Sequence, residues 1–191
     1  DPGDMMIIGN TTPRYSYSFR IEASWNGFDI SAFFQGVGKR DWYPTANKAD
    51  IYGANQFWQL YGYTIPSFIT YDFMDDVWSE QNLGGYFPRL RPIQSYNGGP
   101  LGQNNDRYLQ SVAYLRFKNL TIGYTLPVLK KYLSKLRIYV SGENLCYWSP
   151  LKKHCKLIDP ELAISSGTYK GGTGTGYTMP RTFSFGVDIT F

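Results

Sequence analysis

The feature that most constrains this chain is a strict two-residue alternation that recurs in separate segments. At the end of the chain, Phe183, Phe185, Val187, Ile189 and Phe191 alternate with Thr182, Ser184, Gly186, Asp188 and Thr190. Near the start, Tyr15, Tyr17, Phe19, Ile21, Ala23 and Trp25 alternate with Ser16, Ser18, Arg20, Glu22 and Ser24. Successive side chains of a strand point to opposite faces, so each segment has one apolar and one polar face. Asn26-Gly27 follows the early segment at once, and this pair suits a type I′ hairpin turn because both central residues need positive φ. A second strand is then expected over 28–37, with Phe28, Ile30, Ala32 and Phe34 opposite Asp29, Ser31 and Gln35.

Two further strands are expected over 111–126 and 136–148. In the first of these, Leu115 and Phe117 hold one parity and Leu120, Ile122 and Tyr124 the other, so a β-bulge near Lys118-Asn119 is needed to keep one apolar face. The five strands are joined by connections that run short, long, short, long. The long ones cover 38–110 and 149–180, and 72–81 reads as a short helix inside the first. A structureless stretch of that length counts against a compact soluble domain. It suits a membrane barrel, whose turns are short at one end and whose loops are long at the other. The expected fold class is therefore all-β: an antiparallel transmembrane β-barrel segment of about five strands with long extracellular loops. On this topology the Asn26-Gly27 turn and the C-terminus lie on the periplasmic side and residues 1–14 at the outer end.

Composition agrees where it bears on this. The 191 residues include 17 Tyr, 12 Phe, 5 Trp and 20 Gly, which favours strands and turns over helices. Mean hydropathy is −0.35, an average that alternating faces cancel toward. No run of eighteen apolar residues is present for a membrane helix. A net charge of +4, dispersed along the chain, gives no nucleic-acid footprint. The opening Asp1-Pro2-Gly3-Asp4 has no signal-sequence pattern, so a mature, processed or partial chain is expected.

The residues Ile7-Ile8-Gly9-Asn10-Thr11-Thr12-Pro13-Arg14-Tyr15, Gly27-Phe28-Asp29-Ile30-Ser31 and Phe33-Phe34-Gln35-Gly36-Val37 occur in order. They are followed by the run Tyr114-Leu115-Arg116-Phe117-Lys118-Asn119-Leu120-Thr121-Ile122-Gly123-Tyr124-Thr125-Leu126-Pro127 and by Tyr139-Val140-Ser141-Gly142-Glu143-Asn144-Leu145, Asp159-Pro160-Glu161 and Pro180-Arg181-Thr182. Together these resemble the C-terminal third of SusC/RagA-type TonB-dependent transporters of Bacteroidota. The resemblance implies a plugged outer-membrane barrel of about 22 strands. It also implies import of glycans, peptides or similar bulky nutrients, TonB contacted through the plug region, and a SusD-like surface lipoprotein as a lid. The barrel assembly machinery and outer-membrane lipid are the remaining implied partners. Five strands leave two open edges, so the plug and the other strands are expected elsewhere in the polypeptide or in another chain. Asp1, Gly3 and Asp4 resemble the remnant of a calcium-type loop, but two carboxylates are too few for a site. Calcium on an upstream or lid site is left open, and no cofactor or metal is expected here.

The candidate site residues follow. Trp42, Tyr43, Trp58, Tyr61, Tyr63, Trp78 and Tyr96 sit in the first long connection, where aromatic faces contact cargo or the lid, or else pack the loop or form an interfacial girdle. Phe183, Phe185, Val187, Ile189 and Phe191 form the strand expected to carry the assembly signal through β-augmentation. Arg20, Glu22, Asp29 and Gln35 are expected to line a wet interior. Cys146 and Cys155 are either a disulfide or two free thiols. Gly171 to Gly176 lacks the Gly-Lys-Ser/Thr ending of a phosphate loop. His154, the single histidine, stands beside Lys152, Lys153 and Cys155 without a triad, and no enzyme is expected. Two other functions stay in view. One is a barrel with a structural or assembly role in a larger outer-membrane complex. The other is a soluble carbohydrate-binding β-sandwich.

Overall fold

The computed structural model describes residues 5–43, 74–89, 105–127, 133–156, 158–163 and 178–191. The chain divides into two compact units that interleave in sequence.

The strand unit comprises Tyr15–Gly38, Tyr114–Trp148 and Met179–Phe191. Its strands are β1 (Tyr15–Trp25), β2 (Phe28–Gly38), β5 (Tyr114–Leu126), β6 (Lys135–Trp148) and β7 (Thr182–Thr190). They form one antiparallel sheet in the order β1-β2-β5-β6-β7. The loop unit contains the two-residue strands β3 (Asp41–Trp42) and β4 (Gln110–Ser111), which pair with each other.

The hairpin between β1 and β2 turns where the sequence requires, with Asn26 at φ 46° and Gly27 at φ 84°. A side chain at Gly27 would meet the Thr125 carbonyl, so the position is closed both by backbone angle and by space. Register then follows from apolar parity. Phe19 faces Phe34, which faces Phe117, and these rings stack at 4.9 and 4.5 Å. Ile30 faces Ile122 and Phe28 faces Tyr124. The alignment holds across the parity change because the pairing shifts at Lys118: Phe33 opposes Asn119, while Phe34 opposes Phe117. The bulge expected there is present. Opposite it, β6 carries two extra residues, Asn144 and Leu145, between Glu143 and Cys146, with Asn144 at φ 52°. Two extra residues preserve parity where one inverts it, so β6 keeps one apolar face throughout.

Two expectations change. The strand expected over 111–126 begins at Tyr114. Gln110 and Ser111 pair with β3, the Val112 amide donates to the Arg40 carbonyl, and the Ser149 hydroxyl donates to the Ala113 carbonyl. The short helix expected over 72–81 reduces, in its described part, to one 3-10 turn, Met74–Asp76. The Asn82 amide donates to the carbonyls of Asp75 and Val77, and Trp78 N–H donates to Phe87. Backbone groups that a helix would use are thereby committed to a returning chain.

The loop unit has a core of its own. Trp42, Val77, Phe87, Tyr108, Val112, Leu151, Cys155, Ile158 and Ala163 pack together, with Tyr43 and Tyr86 against them. The stretch from Gly9 to Arg14 fastens onto the chain after β2. Asn10 N–H donates to the Asp41 carboxylate, Asp41 N–H donates to the Asn10 carbonyl, and Arg14 N–H donates to the Lys39 carbonyl. A β-carbon at Gly9 would lie 2.8 Å from Leu109 and 3.0 Å from the Asp41 carboxylate, which explains the small residue at that point of the motif.

Candidate functional site

Three sets of side chains carry the functional expectations: the two faces of the sheet and the aromatics of the loop unit.

On the apolar face the large side chains are the exposed ones. Phe183 is 74% exposed, Phe185 69% and Trp25 79%. The candidate residues Val187, Ile189 and Phe191 are exposed beside them. Aromatic rings mark both ends of this face. Trp25, Phe28 and Tyr124 stand at the hairpin end, and Tyr15, Tyr17 and Trp148 at the other. Tyr17 lies flat across Gly36 of β2, and its hydroxyl donates to the Tyr114 carbonyl of β5 at 3.1 Å.

On the polar face, Arg137 of β6 reaches over Gly123 of β5 and donates twice to Asp29 of β2, at 2.9 and 2.6 Å. It donates again to Asp188 of β7 at 3.0 Å. A side chain at Gly123 would stand 2.6 Å from both the guanidinium and the Asp29 carboxylate, so this cross-strand bond needs glycine there. The guanidinium also lies 4.9 Å over the Tyr139 ring, and that ring occupies the space left by Gly186. Three strands are tied by one fork-shaped donor that crosses a fourth, and lysine does not reproduce its bidentate geometry. Of the other interior candidates, Arg20 and Glu22 form an exposed ion pair at 3.5 Å, and Arg20 covers the Phe33 ring. Arg116 is almost fully buried, with its guanidinium carbon 4.9 Å over the Tyr147 ring.

Of the loop aromatics, Trp42, Tyr43 and Trp78 lie among the described residues. Trp42 is 2% exposed and belongs to the core, so it is a packing residue; it sits in β3, whose neighbours close around the indole. Tyr43 and Trp78 are half-buried. The Tyr43 hydroxyl accepts from the Asn105 amide, and burial pushes its pKa up to about 12. Trp58, Tyr61, Tyr63 and Tyr96 lie outside the described residues, as do residues 1–4 and 171–176. Sequence reasoning passed over Tyr86, Tyr108, Arg107 and Gln110. The Tyr86 hydroxyl donates to the Arg107 carbonyl and accepts from the Gln110 amide at 2.7 Å. The Tyr86 and Tyr108 rings meet edge to face at 5.6 Å, and Arg107 lies over both. Burial raises the pKa of both phenols, so they are neutral. The signal available in the sequence was aromatic density beside Gly84-Gly85: a side chain at Gly85 would collide with the Trp78 backbone.

Cys146 and Cys155 are free thiols in this structure. Cys155 is buried in the loop core, and desolvation pushes its thiol well above the ordinary range, leaving it protonated and unreactive. Among the described residues no group of three His, Cys, Asp or Glu side chains gathers in a metal-binding arrangement.

No family model matches the chain. It is 28% identical over 198 residues to TonB-dependent receptor P3 of Formosa agariphila, an alignment covering 98% of this chain and 17% of that protein. Its fold matches the RagAB peptide importer in the open-open and closed-closed states, with TM-scores of 0.55 and 0.58 at 19% identity. A further structure of the RagAB peptide transporter matches with a TM-score of 0.56. What these findings support is the C-terminal barrel segment of a SusC/RagA-like TonB-dependent receptor. The match to the RagAB structures covers 97% of this chain and 18% of theirs, so this chain spans under a fifth of the length of the proteins it matches. Its fold is that of barrel wall: antiparallel strands, with no helix among the described residues long and apolar enough to cross a membrane.

Proposed function

We propose that this chain supplies part of the wall and outer loops of an outer-membrane TonB-dependent transporter of the SusC type. In this reading the complete receptor imports peptides, glycans or similar bulky nutrients and works with a SusD-like lipoprotein on its outer side. The observation that carries the reading is the polarity of the sheet. Every strand of the five-stranded sheet contributes to an apolar face with aromatic rings at both ends, and to an opposite face rich in Ser, Thr, Asn, Arg and Asp. A soluble sheet buries its apolar face, whereas lipid covers it in an outer-membrane barrel and the polar face lines a wet interior. The 11 residues of β1 rise roughly 3.3 Å each. Tilted by about 40°, they span roughly 25 Å, the height of such an apolar band. The Asn26-Gly27 turn and the C-terminal end of β7 then face the periplasm, and the long connections face outward. The plug and the remaining strands come from outside this stretch.

The test is intact mass spectrometry of the detergent-extracted complex, with peptide mapping of every co-purifying chain. Co-purification with the rest of a barrel, a plug and a SusD-like lipoprotein is expected. A chain found soluble and alone without detergent overturns the reading in favour of a soluble binding module.

One observation favours the second reading, a structural role within a larger complex. The described loop aromatics Trp42, Tyr43, Tyr86 and Tyr108 pack on one another. Normal nutrient uptake after replacement of the loop unit, combined with loss of complex assembly, is the outcome that supports it.

A further inference from the structure

His154 ends the 3-10 turn Pro150–Lys153, in the connection between β6 and β7. The residues it touches come from the other long connection, between β2 and β5. Its imidazole lies flat on the Tyr86 ring, with centroids 3.5 Å apart and planes 11° apart, and Phe87 presents an edge to it at 6.3 Å. Nδ1 stands 3.6 Å from the Asp76 carboxylate, within ion-pair range but too far for a hydrogen bond. A single titratable ring therefore sits where two segments far apart in sequence meet, and it is the only histidine in the chain.

The surrounding charges decide what a proton does there. The 3-10 turn Met74–Asp76 contributes Asp76, which is 48% exposed at its side chain and therefore well screened. The turn Asp106–Tyr108 contributes Arg107, whose guanidinium carbon is 5.8 Å over the same Tyr86 ring. The histidine's own turn contributes Lys152 and Lys153. Tyr86, Tyr108 and Cys155 are held neutral by burial. An imidazolium would thus stand largely out of water, opposed by Lys153 and favoured by the screened Asp76 carboxylate.

We propose that His154 is a proton-sensitive clasp between the two long connections: the neutral imidazole holds 149–156 against 74–89, and protonation releases it. The sign is consistent with the electrostatics. Burial pulls the imidazole pKa below its ordinary value, and Lys153 adds to this, while Asp76 offsets part. An opened loop solvates the ring and returns it to about 6.5. The open form then takes up the proton more readily, so the clasp is complete above that pH and weakens as the pH falls below it.

The experiment is hydrogen–deuterium exchange on the full chain, read in peptides covering 74–89 and 149–156 from pH 8 to pH 5 and corrected for intrinsic exchange. Protection of both peptides is expected to fall together in acid, by up to about tenfold for each unit separating the open and closed pKa. His154→Phe keeps a stacked ring without a titratable proton, and its protection is expected to stay flat across the range. Asp76→Asn removes a carboxylate that favours the imidazolium, so its midpoint moves to lower pH. Flat protection in the unsubstituted chain, an unchanged acid response in His154→Phe, or an unmoved midpoint in Asp76→Asn overturns the assignment. The measurement stands whether or not the receptor imports anything, so its failure is distinct from failure of the transport reading.

Discussion

In the strand unit the large apolar side chains are the exposed ones, while in the loop unit they are the buried ones. Phe185 and Phe87 are the same residue type in one chain, yet one is 69% exposed and the other 1%. The two units reach order by different routes. The sheet is held by backbone pairing and by side chains laid sideways across strands, such as Tyr17 over Gly36 and Arg137 over Gly123. Among its described residues the loop unit has little regular pairing and is held as a globular protein is, by an apolar core with polar atoms bonded around it. A rule that places apolar residues inside is right for one unit and inverted for the other, because the two answer to different solvents.

The comparison is most sharply broken by Phe87→Ala. Truncating a fully buried aromatic is expected to cost about 3–5 kcal/mol. The loss should appear as deuterium uptake and protease cleavage in 74–89 and 149–156, with the sheet still resistant to unfolding. Phe185→Arg is the converse test. On a lipid-facing position near mid-strand it should cost about 2–4 kcal/mol in barrel stability, read by unfolding in detergent or by heat-modifiable gel mobility. Ser184→Arg, one residue away on the polar face, should change little. A soluble sandwich would reverse the order of these two. Arg137→Ala removes a cross-strand ion pair that is only partly buried, and the expected cost is about 1 kcal/mol. That loss should be smaller in high salt and should leave the loop unit untouched. The smallest effect is that of pH. With the single histidine in the loop unit, only that unit's protection should respond between pH 8 and 5, declining toward acid while the sheet stays constant.

The sheet was legible for a physical reason. An element that must present opposite faces to lipid and to water writes a period of two into its sequence, and Tyr15–Trp25 and Thr182–Thr190 show it without exception. The parity change at Lys118 was readable by the same rule. The paired bulge in β6 was not, since two extra residues leave parity intact. Its trace is only a local misfit, with Asn144 where an outward residue belongs and Leu145 where an inward one does. The loop unit was scarcely legible. Its contacts join residues more than a hundred positions apart, as when Arg40 donates to the Ala163 carbonyl, and no periodicity marks such partners. Aromatic richness pointed to Trp42 and Tyr43 but could not tell a ring that meets a ligand from one that meets another ring. His154 stood out as the single histidine, but its partners Asp76 and Tyr86 were not legible because they come from a different connection.

The bulge at Lys118 has a consequence for how such a strand can change length. Lys118 has no opposite number in β2, since the residues on either side of it are the ones that pair. Removing it would leave Phe117 outward, Asn119 inward and Leu120 outward, an unbroken alternation. Deleting a residue away from the Lys118-Asn119 bulge would put one part of the strand out of phase, sending Ile122 toward water, for example. The bulge pair is therefore the place where a descendant sequence could drop one residue of β5 without rewriting the rest of the strand.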